Sequence, residues 1–310
     1  MAIAFTFPGQ GSQAVGMGRE LAEAFPEAAG VFEEVDDALG EKLSRLIWEG
    51  PEDQLTLTAN AQPALMAVSM AAMRAMEARG FSLSERVSWV AGHSLGEYSA
   101  LCAAGVFSVA DTARLLRIRG NAMQGAVPVG EGAMAAIIGL EQVDVEQACA
   151  EAGDCQVAND NGGGQLVISG RKGGVERAAA LCTDKGAKRA LMLPVSAPFH
   201  SELMAPAAEA MREALAGVEM RAPVVPVIAN VLAAPITDPA DIAARLVEQV
   251  TGRVRWRETV EWFAANGATA LYEIGAGKVL SGLARRIDRD LSNTSVGSPA
   301  DVEAALAALA

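Results

Sequence analysis

An α/β fold built on a largely parallel sheet is predicted by three observations. Strand and helix signals alternate along the whole chain, and a serine framed by glycines sits between a short apolar strand and a helix of small residues. A Gly/Pro-rich stretch, Gly125-Ala126-Val127-Pro128-Val129-Gly130-Glu131-Gly132, then sets off a segment with its own strand and helix order.

Taken in order, residues 1–7 read as a buried strand running into the glycine loop Pro8-Gly9-Gln10-Gly11, with no basic leader before it. The acid-rich stretch from Glu20 to Asp53 reads as solvated helical faces. Residues 87–91 form a short strand, 95–104 a helix and 111–124 another. After the hinge come a strand at 132–140, a helix at 143–152 and strands at 155–158 and 165–170 around a glycine loop. A helix at 175–186 and a strand at 188–195 complete the unit. That βαββαβ order is ferredoxin-like, so residues 126–198 are expected to be a small domain inserted into a larger one made of 1–125 and 199–310. The large domain resumes with a helix at 201–217, a strand at 224–229, helices near 238–250 and 256–266, a strand at 268–274 and a helix at 278–289. A polar stretch, 292–298, leads to an alanine-rich terminal helix.

Composition narrows the function classes. With 310 residues, 51% of them hydrophobic, the chain can bury a large core, yet no apolar run is long enough for a membrane span. A net charge of −13 argues against nucleic acid as the principal partner. The four cysteines (Cys102, Cys149, Cys155, Cys182) lack paired metal spacing and read as reduced structural thiols. A soluble, cytoplasmic protein without a metal is therefore expected, with a monomer as the default because the sequence carries no sign of the oligomeric state. Basic residues cluster at Lys185/Lys188/Arg189, Arg253/Arg255/Arg257 and Arg285/Arg286/Arg289, each a possible landing place for an acidic partner or ordinary surface charge.

The chemistry centres on Gly92-His93-Ser94-Leu95-Gly96, the pattern of a nucleophile elbow, where a strained strand-to-helix turn exposes a serine. A serine hydroxyl needs a base, and the chain has two histidines. His93 adjoins Ser94 and must point elsewhere on such a turn. His200, closing Pro198-Phe199-His200 on the loop at the domain return, is the better base. The backbone N–H of Leu95 is a natural oxyanion donor, and a second one is expected from the loop Phe7-Pro8-Gly9-Gln10-Gly11-Ser12-Gln13. On the helix at 111–124, Arg114 and Arg117 fall on one side. Arg119 falls on the other, among Leu115, Leu116, Ala122 and Met123. A guanidinium on an apolar face needs a carboxylate, either from an internal acid or from a substrate.

Together these segments, with Arg119-Gly120, Gly132-Ala133-Met134-Ala135-Ala136 and Glu273-Ile274-Gly275-Ala276-Gly277-Lys278, resemble the malonyl-CoA:acyl carrier protein transacylases, acyltransferases of fatty-acid and polyketide synthesis. The resemblance runs over nearly the whole chain. It implies an α/β-hydrolase-like large domain with the ferredoxin-like insertion, Ser94 as nucleophile and His200 as base. It further implies Arg119 as anchor for the malonyl carboxylate, backbone amides of Gln10 and Leu95 as the oxyanion hole, and the carbonyl of Gln249 as the group that orients the histidine. One departure lies nearby, where Gly252-Arg253-Val254-Arg255-Trp256 replaces the relatives' Asn-Pro-Val before the tryptophan. Met123 and Phe199 are expected in the acyl pocket, with Phe199 crowding an α-methyl group. The implied partners are malonyl-CoA, as a substrate, and holo acyl carrier protein, with no cofactor. Alternatives are a trans-acting acyltransferase of a polyketide pathway, an editing serine thioesterase on the same scaffold, and a non-catalytic carrier-binding module.

Overall fold

Ten strands fall into two sheets in the computed structural model, which describes residues 2–195 and 197–310. They are β1 (Ala2–Phe7), β2 (Trp89–Gly92), β3 (Gly132–Ile138), β4 (Cys155–Asp160), β5 (Gln165–Arg171), β6 (Arg189–Met192), β7 (Val227–Ala229), β8 (Ala234–Ile236), β9 (Ala268–Ile274) and β10 (Ser292–Val296). The larger sheet has the order β10-β9-β1-β2-β7-β8. Every pairing in it is parallel except β7 with β8.

This order explains where a site can form. From β1 the chain steps to β2 and β7 on one side and later returns to β9 on the other. The order therefore reverses at β1, between β2 on one side and β9 on the other, and the crevice beyond the carboxyl ends of these strands is the natural binding position. Phe5 and Phe7 of β1 are fully buried, and Phe5 stacks on Phe81 with ring centroids 5.4 Å apart. Burial of each such side chain stabilises the fold by roughly 1.5–3 kcal/mol. The helix Thr58–Glu77 lies in this core with sixteen of its twenty residues buried, which marks it as a central helix rather than a surface one. Trp256, Val260, Phe263, Leu280 and Leu283 fill the opposite face of the sheet.

The smaller sheet is antiparallel throughout, in the order β4-β5-β3-β6. With helices Gln142–Ala152 and Lys172–Asp184 packed on one face, through residues such as Ile137, Val145, Ile168 and Val175, this is the ferredoxin-like arrangement. We propose 126–198 as the extent of this inserted unit, since its four strands all fall within that span. The other face of the sheet presents Met134 and Val167 toward Phe199. Val254 fastens β4 to the large domain, since its N–H donates to the Ala158 carbonyl (2.8 Å) and its carbonyl accepts from Asp160 N–H (2.9 Å).

Three elements differ from expectation. Residues 292–296, read as a polar connection, form the edge strand β10, parallel to β9. One side of an edge strand is solvated, so Ser292-Asn293-Thr294-Ser295 needs no apolar alternation, and only Val296 is fully buried. The short β8 carries no strand signal in the sequence because Pro235 interrupts it; at a sheet edge a residue without an N–H is tolerated. The strand expected at 188–195 shortens to β6, an exposed edge. No helix among the described residues is long and apolar enough to cross a membrane.

Candidate active site

Beyond the carboxyl ends of β1 and β2 lies a cleft of about 530 Å³, walled on its far side by the small sheet and lined by Gln10, Ser94, Leu95, Arg119, Met123 and Phe199. Ser94 sits between β2 and the helix Leu95–Ala103 with φ 55° and ψ −110°, a strained conformation for a residue with a Cβ. The turn is tight enough that a Cβ on Gly92 would strike the backbone of Gly96. One on Gly96 would strike the Phe7 carbonyl at the end of β1. The two pattern glycines therefore let the elbow close on itself and on the neighbouring strand.

His200 also has a positive φ, 56°, and is buried. Its Nδ1 lies 2.8 Å from the Gln249 carbonyl and 3.1 Å from the Gly252 carbonyl. Carbonyls only accept, so Nδ1 carries the proton and Nε2 is the acceptor. Ser94 Oγ donates to that Nε2 over 2.7 Å. Burial, followed by the positive field of Arg119, pushes the imidazole down to about 3, so the His200 ring is neutral throughout the physiological range. His93 turns away instead, its Nε2 2.9 Å from Asn161 Oδ1 and its ring 5.8 Å from that of Trp256.

Arg119 projects from the helix Val109–Gly125 and is 1% exposed. Gly120 beside it lets that helix approach the backbone of Thr58 and Ala59 too closely for a Cβ. Arg119 Nη1 donates to Gln62 Oε1 (2.7 Å), and Nη2 donates to Gln249 Oε1 (2.8 Å) and Ser94 Oγ (3.1 Å). Its Nε has no partner among the described residues. All its bonded partners are neutral, so the internal ion pair left open by the sequence is not formed directly. Arg114 and Arg117 point the other way, to Asp111 and to Glu41 respectively.

From Gln62 a directed chain of hydrogen bonds continues. Gln62 Nε2 donates to Thr58 Oγ1 (2.9 Å), whose hydroxyl donates to Gln10 Oε1 (2.9 Å). The guanidinium is thus tied to the loop that carries the Gln10 amide. Among the described residues neither the Gln10 nor the Leu95 N–H donates to a protein acceptor, and both line the cleft beside Ser94. Met123 and Phe199 lie in the same cleft.

Several groups escaped the sequence reading. Asn230, just after β7, accepts from the Ser94 N–H with Oδ1 (2.8 Å) and donates through Nδ2 to the Gly92 carbonyl (2.7 Å), which splints the elbow. Its position at the carboxyl end of a parallel strand beside β2 was the available signal. The Gln249 side chain does as much as its carbonyl, since Nε2 donates to the Ser94 carbonyl (2.9 Å) and Glu97 Oε2 (2.8 Å). Where the sequence departs from the relatives' Asn-Pro-Val, Gly252 supplies the second carbonyl to His200. The cluster Arg253/Arg255/Arg257 is engaged internally, with Glu146, Glu258, and Asp160 and Glu261 respectively. The other two basic clusters form no ion pair among the described residues, and Arg286 lines the cleft.

Comparison with known proteins agrees with this geometry. The acyl transferase domain model matches residues 4–297. The malonyl CoA-acyl carrier protein transacylase of Bacillus subtilis (strain 168) is 48% identical over 311 residues, covering 99% of this chain and 97% of that one. The enzyme of that name from Escherichia coli (strain K12) is 47% identical, covering 98% of each chain. The crystal structure of acyl-carrier-protein-S-malonyltransferase from Bartonella henselae superposes with a TM-score of 0.98 at 64% identity, covering 100% of this chain and 99% of that one. A malonyl-transacylase solved in complex with a type II PKS acyl-carrier protein superposes at 0.96 with 44% identity, covering 99% and 100%. This chain belongs to the acyl transferase domain family, within the group of malonyl-CoA:acyl carrier protein transacylases.

Proposed function

We propose that the chain moves a malonyl group from malonyl-CoA to the phosphopantetheine thiol of acyl carrier protein through an ester on Ser94. The observation that carries this reading is the meeting of three groups at one oxygen. Ser94 Oγ lies 2.7 Å from the basic nitrogen of His200 and 3.1 Å from a buried guanidinium that has no bonded carboxylate. A nucleophile, a base and a carboxylate receptor within one contact shell select an acyl chain that ends in a carboxylate.

In the first half-reaction the malonyl carboxylate docks on Arg119. Ser94 Oγ attacks the thioester carbonyl carbon and its proton passes to His200 Nε2. The oxyanion is received by the N–H groups of Gln10 and Leu95, each such donor contributing about 10²–10³ in rate. Collapse breaks the C–S bond, and His200 returns the proton to the departing CoA thiol. In the second half-reaction the carrier's thiol gives its proton to His200 and attacks the ester, the C–O bond breaks, and Ser94 recovers its proton. No oxidation state changes, so the balance calls for no redox cofactor. Arg119 also links recognition to chemistry. Burial is the larger cause of the lowered His200 basicity, and the charge of Arg119 adds to it, so a carboxylate that neutralises Arg119 relieves that added part.

For the carrier, the basic clusters without internal acid partners, Lys185/Lys188/Arg189 and Arg285/Arg286/Arg289, are the proposed contacts for an acidic surface. A second reading, service to a polyketide carrier, is favoured by the relative solved with a type II PKS acyl-carrier protein. Intact-mass measurement after mixing with malonyl-, methylmalonyl- or acetyl-CoA tests the chemistry. A malonyl adduct that is absent in Ser94→Ala and moves to holo carrier supports transfer, whereas an adduct released only to water indicates a thioesterase. Offering fatty-acid and polyketide carriers side by side distinguishes the pathways.

A further inference from the structure

Glu97 lies in the first turn of the helix that follows the elbow and is fully buried. Its Oε2 accepts from Gln249 Nε2 (2.8 Å) and from the Asn230 N–H (3.1 Å), while Oε1 has no partner among the described residues. Among the described residues no lysine or arginine forms an ion pair or hydrogen bond with it. It is bridged to a cation by the Gln249 amide, whose N–H faces Glu97 and whose oxygen faces Arg119. One amide therefore separates an internal carboxylate from the guanidinium that receives the substrate. The other titratable groups of the site are Tyr98 on the same helix, whose phenol is pushed up by burial, and His200 and His93, both pushed down by burial.

We propose that Glu97 is a positioning residue, the resident counter-charge of Arg119 acting through Gln249, and that it takes up a proton when the malonyl carboxylate docks. The inference rests on Arg119 being the carboxylate anchor. Two carboxylates cannot both stay ionised around one buried guanidinium, because the second gains little attraction and still bears its full desolvation cost. The incoming group must bond Arg119 directly, so the proton goes to the acid held one amide away. Orientation follows as well. While Glu97 accepts from Gln249 Nε2, the amide must aim its oxygen at Arg119, which keeps the guanidinium turned toward Ser94. Burial already holds the Glu97 carboxyl at about 7, against the opposing pull of Gln249, Asn230 and Arg119, so removing the field of Arg119 tips it to the acid.

The test measures protons. Ser94→Ala traps the complex before ester formation, and calorimetric titration near pH 7.5 in two buffers of different ionisation enthalpy counts protons taken up with malonyl-CoA and with acetyl-CoA. The expected result is an excess of roughly half a proton or more for malonyl-CoA. Its affinity should also weaken by up to tenfold per unit as pH rises above 7. Adding Glu97→Gln, which keeps an acceptor for Gln249 and Asn230, should remove the excess and flatten that profile. Zero excess in the parent, or the same excess with Glu97→Gln, overturns the proposal. If malonyl-CoA binds no better than acetyl-CoA and Arg119→Ala changes neither, the Arg119 reading itself fails. Should Glu97→Gln not fold, infrared difference spectra of the parent decide. A carboxylic-acid band that appears with malonyl-CoA and not with acetyl-CoA supports the proposal, and its absence refutes it.

Discussion

His200 Nδ1 lies 2.8 Å from the backbone carbonyl of Gln249, where a protease triad would place a carboxylate. A carbonyl fixes the tautomer and aims the ring without adding negative charge to a site that must receive an anionic substrate. Since the orienting atom belongs to the backbone, Gln249→Ala should leave His200 in place. The same substitution removes the side-chain bonds to Arg119, Glu97 and the Ser94 carbonyl. Kinetics of loading should show malonyl-CoA KM rising about tenfold, with acetyl loading changed far less. Equal losses for both would place the orienting role in the side chain.

Arg119→Ala should lower kcat/KM for malonyl loading by roughly 10²–10³, in line with losing a two-point charged bond, and bring the malonyl to acetyl ratio down with it. Arg119→Lys should recover little. A single ammonium point charge cannot donate to Gln62, Gln249 and the carboxylate in one plane. Intact-mass loading with both thioesters checks the ratio directly.

Asn230→Ala should cost about 1–3 kcal/mol of stability, because it strips buried bonds from the Ser94 N–H and the Gly92 carbonyl. Ser94 holds a strained φ that this splint over-determines, so loading should slow as well. Urea midpoints and adduct formation rates measure the two effects separately. Stability unchanged within about 0.5 kcal/mol would mean that the elbow closes without it.

Two buried groups set opposing pH dependences of stability. The Glu97 carboxyl rises from 4.5 unfolded to about 7 folded, so between those values the folded chain binds the extra proton. Its contribution is present below pH 4.5 and lost as pH rises through 7. The His200 imidazole falls from 6.5 to about 3, so in that window the unfolded chain binds the extra proton and stability drops as pH falls. Glu97→Gln should therefore gain stability relative to the parent between pH 5 and pH 8, by roughly 2–3 kcal/mol. Denaturant midpoints at the two pH values provide the comparison, and a pH-independent difference would contradict the assignment.

Much of the architecture was legible because it rests on local pattern. The elbow glycines, the 268–274 strand and the βαββαβ order each write a periodicity or a turn residue into contiguous sequence. Strands β8 and β10 were not legible, since edge strands need neither apolar alternation nor a complete set of N–H groups. Within the site, Ser94, His200 and Arg119 stood out by rarity or by an inconsistent face, a charge on an apolar helical stripe. Asn230, Gln62 and Glu97 carried no such mark. An amide or carboxylate in a helix or after a strand reads as ordinary polarity until its partners are known.

The sequence by itself determined that a strained serine would stand at the mouth of a parallel sheet, that only one remote histidine was placed to serve it, and that one arginine was directed inward. Tertiary structure decided what each of them meets. His200 is held by carbonyls 49 and 52 residues away, and Arg119 reaches amides 57 and 130 residues away. Backbone carbonyls are identical at every position and amides accept or donate according to how they are turned. Their roles are therefore assigned by where the sheet order brings them, not by the residues that bear them.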